Sequence, residues 1–170
     1  KGLIISPVQI LWVNLVTDGI LDITLAMEPK EEDVMNEPPR KRKAHIINRE
    51  IIFNILLVSL VMAAGTLFMY FRVNDMPTNY SQTIVFTTLA MFQVFNALNC
   101  RSRTRSVFEM PITRNPYLLL AIAASIILQI GAIYLPFMQN ALGTAPLSLQ
   151  DWGMIFLVSS SGNRLATSWI

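Results

Sequence analysis

The class of this protein follows from the stretch Val13-Asn14-Leu15-Val16-Thr17-Asp18-Gly19, which lies inside an apolar segment from Leu3 to Met27. That segment is long enough to span a membrane as a helix, which needs roughly 20 residues. On an α-helix, Asn14, Thr17 and Asp18 are spaced i, i+3 and i+4, so we expect them to share one face. An aspartate at mid-bilayer depth costs about 2.5–3.5 kcal/mol and usually faces a bundle interior or an ion pathway. Carboxylate, amide and hydroxyl oxygens together are typical ligands of a hard cation.

The composition places the whole chain in a membrane. It has 170 residues, of which 53% are hydrophobic and 14% charged, with a mean hydropathy of +0.48. Soluble domains carry about 25% charged residues. We therefore predict an integral, multi-pass, all-α membrane protein whose surroundings are the lipid bilayer, and we expect no nucleic acid as a partner. The single cysteine excludes an internal disulfide.

Five apolar segments predict a polytopic transmembrane helix bundle of about five spans that occupies residues 1–170 as one domain. The predicted spans are 3–27, 51–71, 80–99, 117–134 and 152–170. The third is the most polar after the first. Residues 135–150 are predicted to be a loop.

The distribution of basic residues predicts the orientation of the spans. The loops 28–50 and 101–116 contain ten Lys and Arg residues, whereas the two loops on the opposite side contain only Arg72. By the positive-inside rule, loops 28–50 and 101–116 are cytoplasmic. The first span then runs from outside to inside, so we expect further membrane-crossing sequence before it.

The end of the chain fits a membrane span less well than the other segments. Residues 159–170 are polar, and Arg164 falls about a dozen residues into the expected fifth span, where a charge is costly. Three interpretations remain open: a distorted helix, a helix that lines a polar cavity, or a truncated end.

Three motifs resemble a known family. The chain is similar to the sixth transmembrane helix of calcium-transporting P-type ATPases over Ser6-Pro7-Val8-Gln9-Ile10-Leu11-Trp12-Val13-Asn14-Leu15-Val16-Thr17-Asp18-Gly19. The loop after that helix is similar to Glu28-Pro29, Asp33-Val34-Met35 and Pro38-Pro39-Arg40 here. The end of the eighth helix of these pumps resembles Asn96-Ala97-Leu98-Asn99. The chain then corresponds to helices six to ten, the C-terminal transmembrane part.

The resemblance implies an activity and a ligand set. In that family the sixth-helix Asn, Thr and Asp coordinate the transported ion, and those positions are Asn14, Thr17 and Asp18. The implied function is ATP-driven export of Ca²⁺ from the cytoplasm through a phosphorylated aspartate. The motif Asp-Lys-Thr-Gly-Thr does not occur in this chain, so we expect no catalytic residue and no nucleotide site here. ATP and Mg²⁺ belong to the full-length protein, whose upstream helices and cytoplasmic domains are the implied partners.

Two departures from the family pattern affect the site. Two-site calcium pumps carry a glutamate three residues before the Asn-Ala-Leu-Asn match, where this chain has Gln93. A neutral amide is the weaker ligand for a divalent ion, so the resemblance favours one Ca²⁺ per cycle. Asp22 follows Asp18 by four residues, where these pumps usually have small residues or proline. It is a candidate for the ion access path or for an extension of the site.

Each candidate residue also has a structural explanation. Asp18 could pair with a neighbouring helix, Asn14 could form an interhelical hydrogen bond, and Thr17 could bond back to its own helix. Asp22 could be a solvated carboxylate at a helix end. Gln93 and Asn96, at i and i+3, are possible metal ligands or part of the ion entry path, and they could instead be interhelical polar contacts.

Other functions remain open at this point. A pump for Mn²⁺ or a monovalent cation would use a similar site. A non-enzymatic membrane channel or accessory bundle would explain why no ATPase motif is present. An aspartyl-phosphorylation motif upstream in a longer reading frame would favour the pump.

Overall fold

The computed structural model describes residues 3–29, 49–101 and 115–166, with side chains through Ser161 except that of Glu50. The described residues contain six helices and no strand, which confirms the predicted all-α class. Most of the two predicted cytoplasmic loops, including the basic run 40–43, lies outside these residues, as does the side chain of Arg164.

The helices begin and end close to the predicted spans, with one addition. In chain order they are α1 (Pro7–Leu25), α2 (Arg49–Arg72), α3 (Thr78–Asn99), α4 (Pro116–Tyr134), α5 (Pro136–Leu142) and α6 (Leu149–Ala166). At about 1.5 Å per residue, α2 is about 36 Å long, which exceeds the roughly 30 Å of a bilayer's hydrocarbon core. The helical backbone of α6 continues through the polar segment as far as Ala166.

Short helix α5 corrects the prediction that residues 135–150 form a loop. Pro136 occupies its first turn, where the fixed φ of proline favours a helix start. Gly143 ends it with φ +67°, a left-handed conformation that glycine adopts without strain. The helix is only seven residues long, too short to cross a membrane, and Leu142 at its end is buried in the bundle.

Within the described residues, three helices are long and apolar enough to cross a membrane: α1, the Ile51–Arg72 part of α2, and α4. Helices α3 and α6 are more polar. The position of α3 explains its polarity, because it packs against α1, α2, α4 and α6 and is therefore the central helix of the bundle. A helix surrounded by protein does not need the apolar surface that lipid demands.

Three apolar clusters hold the bundle together around α3. One joins α2, α3 and α6 through Met69, Met91 and Ile155. In this region α2 approaches α3 so closely that a Cβ added to Gly65 would lie 2.7 Å from Cζ of Phe92. The other two clusters join α3 to α1 and α4, and their buried members are Val13, Phe86, Ala90, Ala132 and Leu142, and Leu21, Val94, Ala97, Leu118 and Ala121.

Candidate cation-binding site

The candidate site lies on α1, where the helix changes its winding. Pro7–Trp12 and Gly19–Leu25 are α-helical, but Val13–Asp18 form a π-helix between them. The amide of Gly19 accordingly donates to the carbonyl of Asn14, five residues earlier. Such π segments inside α-helices are rare and frequently lie at functional sites. Nothing in the local sequence distinguished this segment from an ordinary α-helical turn.

The π segment separates the three residues that were expected to share a face. Asn14 is exposed and Asp18 is half-buried, whereas Thr17 is only 2% exposed. Because a π turn holds more residues than an α turn, a spacing of three residues no longer returns to the same face. Thr17 therefore lies in the bundle, and its hydroxyl is less accessible to an ion than the Asn14 and Asp18 side chains.

Asp18 forms a hydrogen bond with the central helix. The Nε2 atom of Gln93 donates to Oδ2 of Asp18 over 3.3 Å, between residues 75 positions apart in the chain. The structure thus brings Gln93 to the candidate site on α1. A side-chain amide also carries a carbonyl oxygen, so Gln93 can offer an acceptor to a cation while its NH₂ group holds the carboxylate.

Asn96 lies elsewhere. It lines a small cavity between α2, α3 and α6, together with Val58, Phe92 and Ser159. The spacing of Gln93 and Asn96 suggested a shared role, but the structure places the two side chains in different surroundings. Asn96 therefore does not belong to the candidate site around Asp18.

Asp22 continues the acidic face of α1 beyond Asp18. It lies four residues farther along the helix and is exposed, and like charges at this spacing repel each other. In the described part of the chain neither carboxylate takes part in an ion pair, since the one ion pair found there joins Arg101 to Glu28. A bound cation would relieve this repulsion, because it lies close to both negative charges.

The described residues supply only part of a coordination sphere. No group of three or more His, Cys, Asp and Glu side chains converges among them. Calcium takes about six to eight oxygen ligands, whereas Asn14, Asp18 and Gln93 offer a carboxylate and two amides. Since Asn14 is exposed on the outer side of the bundle, the remaining ligands would have to approach α1 from that side.

Sequence reasoning missed a residue that anchors α1 near its start. Gln9 is fully buried, and its Nε2 donates to the carbonyl of Leu142 at the end of α5 over 3.0 Å. Its Oε1 accepts from the backbone amide of Ser6 over 3.1 Å, which caps the first turn of α1. An amide in the middle of an apolar stretch was the available signal, because a buried amide needs partners.

Known proteins share this sequence over nearly its whole length. The family model "Cation transporting ATPase, C-terminus" matches residues 2–162. The chain is 37% identical over 161 residues to calcium-transporting ATPase 1 of Yarrowia lipolytica. The aligned region covers 92% of this chain and 17% of that protein. The chain is 38% identical over 160 residues to calcium-transporting ATPase type 2C member 2 of Rattus norvegicus, with the same two coverages.

A third relative extends the match slightly. The chain is 36% identical over 168 residues to calcium-transporting ATPase type 2C member 1 of Mus musculus. The aligned region covers 98% of this chain and 18% of that protein. The chain thus spans less than one fifth of the length of these relatives. It belongs to the C-terminal transmembrane family of the cation-transporting ATPases, which confirms the resemblance to calcium-transporting P-type pumps that the sequence motifs indicated.

Proposed function

We propose that this chain is the ion-binding transmembrane part of an ATP-driven pump that exports Ca²⁺ from the cytoplasm. The observation that carries the proposal is the face of α1 on which the amide of Asn14 and the carboxylate of Asp18 lie within a π segment, in a helix long and apolar enough to cross a membrane. Polar groups inside a membrane are costly unless they have a partner or a ligand. The names of the relatives, which are calcium-transporting ATPases, support Ca²⁺ as the cargo.

The proposed ligands are oxygens of Asn14 and Asp18, with the carbonyl oxygen of Gln93 beside them. Thr17, although buried, is proposed as a further ligand that would reach the ion from the bundle side. Asp22 would attract cations toward Asp18 along the same helix. Because Gln93 is neutral and already bonds to Asp18, we infer that this face holds one Ca²⁺ rather than two.

The rest of the pump would complete this site. Helices that precede α1 in the full-length protein would cover the face of Asn14 and Asp18 and add the missing oxygen ligands. ATP, Mg²⁺ and the phosphorylated aspartate would be in its cytoplasmic domains, on the same side of the membrane as loops 28–50 and 101–116. Residues of this chain would bind the ion and take no part in phosphoryl transfer.

The test is an ion-dependent phosphorylation assay on the full-length native protein in membranes. Labelled ATP is added with Ca²⁺, Mn²⁺, Na⁺ or no added ion, and an acid-stable, hydroxylamine-sensitive phosphoprotein is measured. We expect labelling that requires Ca²⁺. Labelling driven by Mn²⁺ or Na⁺ instead would reassign the cargo. An absence of labelling in a folded preparation under every ion would overturn the pump and favour a passive channel or accessory bundle.

A further inference from the structure

The end of α1 opposite Gln9 is held by a buried polar cluster that connects three helices. Glu28, just beyond α1, accepts through Oε1 from Nε and Nη2 of Arg101 at the end of α3, over 3.2 and 3.0 Å. Its Oε2 accepts from Nδ2 of Asn115, immediately before α4, over 2.7 Å. The same Nδ2 donates to the carbonyl of Thr24 over 3.0 Å. We call Glu28, Arg101 and Asn115 the clasp.

The clasp is shielded from solvent. Arg101 is 7% exposed and Asn115 is 1% exposed, and the apolar cluster of Leu21 and Leu118 lies beside it. Charge-assisted hydrogen bonds are shorter and stronger than neutral ones, and burial strengthens them further. Asn115 also caps α4, because its Oδ1 accepts a hydrogen bond from the backbone amide of Leu118. The end of α1 is thus joined to α3 and to the start of α4.

The position of the clasp relative to the π segment gives it a consequence for the ion site. Glu28 is ten residues beyond Asp18, and the helix continues from Asp18 to Leu25, about 10 Å, before it ends. Between them, Leu21 packs in the cluster that joins α1 to α3 and α4. Gln9 anchors the other side of the π segment. The wide turn with Asn14 and Asp18 therefore lies between two fixed points, and a helix that is fixed at both ends holds its ligands at a set distance from the other helices.

We propose that Glu28, Arg101 and Asn115 are positioning residues, which fix the Gly19–Leu25 half of α1 against α3 and α4 and thereby hold Asp18 in its ion-binding position. This inference rests on the proposed function, since it concerns the Ca²⁺ affinity of that site. None of the three residues contacts the ion. Their effect would be transmitted through the helix.

The sharpest variant is Asn115→Asp in the full-length protein. Aspartate is as good a helix cap as asparagine, so α4 keeps its cap, but a carboxylate now faces Glu28 and the clasp opens by like-charge repulsion. We expect the Ca²⁺ concentration for half-maximal phosphorylation to rise roughly 3- to 10-fold, as for other couplings through packed helices. Maximal phosphorylation should be retained.

The double variant Glu28→Gln/Asn115→Asp supplies the rescue. It moves the negative charge to the other side of the same hydrogen bond, because the introduced glutamine amide donates to the introduced carboxylate and its carbonyl still accepts from Arg101. We expect partial recovery, because the double variant removes the charge repulsion but leaves the Thr24 carbonyl without the donor that Asn115 supplies; such non-additivity is typical of residues in direct contact. Asp75→Asn, at an exposed turn residue between α2 and α3, is the matched control and should change nothing.

A second measurement tests the clasp without Ca²⁺. Ile23 on α1 and Leu120 on α4 are both 68% exposed, so spin labels at Ile23→Cys and Leu120→Cys, in a background without other reactive cysteines, report the distance between these helices. Asn115→Asp should broaden the distance distribution, and the double variant should narrow it again.

The outcomes separate the two proposals. A rise in the half-maximal Ca²⁺ concentration with a broadened distance distribution, both at least partly reversed in the double variant, supports the clasp as a positioning device. Unchanged Ca²⁺ affinity in Asn115→Asp, or a loss that the double variant does not reverse even in part, overturns it. If the unmodified protein shows no Ca²⁺-dependent labelling, the proposed function fails. The distance measurement then still decides whether the clasp holds α1.

Discussion

Helices α1 and α3 both carry polar side chains, but the partners of those side chains differ. On α3, Thr83 and Thr88 donate to the carbonyls of Asn79 and Ile84 on their own helix, each over 2.7 Å. Thr87 accepts from Gln129 of α4 over 3.3 Å. On α1, Asn14 and Asp22 face outward, and Asp18 meets the amide of Gln93.

This difference distinguishes structural polarity from a binding site. Hydroxyl groups that bond to their own helix satisfy themselves and need no ligand. A carboxylate that accepts one amide hydrogen bond retains most of its acceptor capacity and all of its charge. The threonines of α3 therefore support the bundle, whereas Asn14, Asp18 and Asp22 of α1 are available to an ion and to the helices that would cover it.

The largest expected effect comes from Asp18→Asn, which removes the negative charge of the proposed ligand set while keeping the shape of the side chain. We expect the Ca²⁺ concentration for half-maximal phosphorylation of the full-length protein to rise by at least about 100-fold, since the number of charged ligands tunes calcium affinity over several orders of magnitude. Asp22→Asn, one turn farther on, is the matched control and should change it far less. Equal effects of the two variants would show that general acidity of the face, rather than coordination by Asp18, binds the cation.

An intermediate effect is expected for Gln93→Ala, which leaves Asp18 without its partner from α3. Removing one hydrogen bond to a charged group costs about 1.5–3 kcal/mol when the charge stays buried, but Asp18 is half-buried and water can replace the amide. We therefore expect a loss of Ca²⁺ affinity of less than about 10-fold. A loss as large as that of Asp18→Asn in the same assay would make Gln93 a principal ligand and would shift the site toward α3.

The smallest effect is expected on α3 itself. Thr88→Val keeps the shape of a fully buried side chain and removes its bond to the carbonyl of Ile84. Hydrogen bonds of side chains in membrane bundles contribute about 0.6 kcal/mol on average, so thermal unfolding should shift slightly and Ca²⁺ activation should not change. A clear change in Ca²⁺ activation would contradict the structural role assigned to Thr88.

The sequence predicted the long helices well because their signals are local. The length of the apolar segments was enough to locate α1, α2 and α4. The more polar third segment corresponds to α3, the central helix of the bundle. Helix α5 was missed although Pro136 and Gly143 mark its start and end. Its seven residues are too few to show a clear helical periodicity, and the polar residues after it favoured the prediction of a loop.

The candidate site was predicted in part. Its carboxylate and amide could be identified from motif and depth, but the rotation of Thr17 into the bundle depends on a π segment that no residue type specifies. The contacts of Asp18 with Gln93 and of Glu28 with Arg101 join residues 75 and 73 positions apart. Such pairs follow from how the helices pack, and a single sequence carries no direct signal for them.

The most direct test is a cryo-EM comparison of the full-length protein in Ca²⁺ and in chelator. We predict an ion density that is present in the Ca²⁺ map and absent from the chelator map. An oxygen of Asp18 and one of Asn14 should lie about 2.3–2.6 Å from its centre, the usual range for calcium ligands. A Ca²⁺-dependent density elsewhere, with Asp18 still bonded only to Gln93 in both states, would contradict the assignment of the cation site to α1.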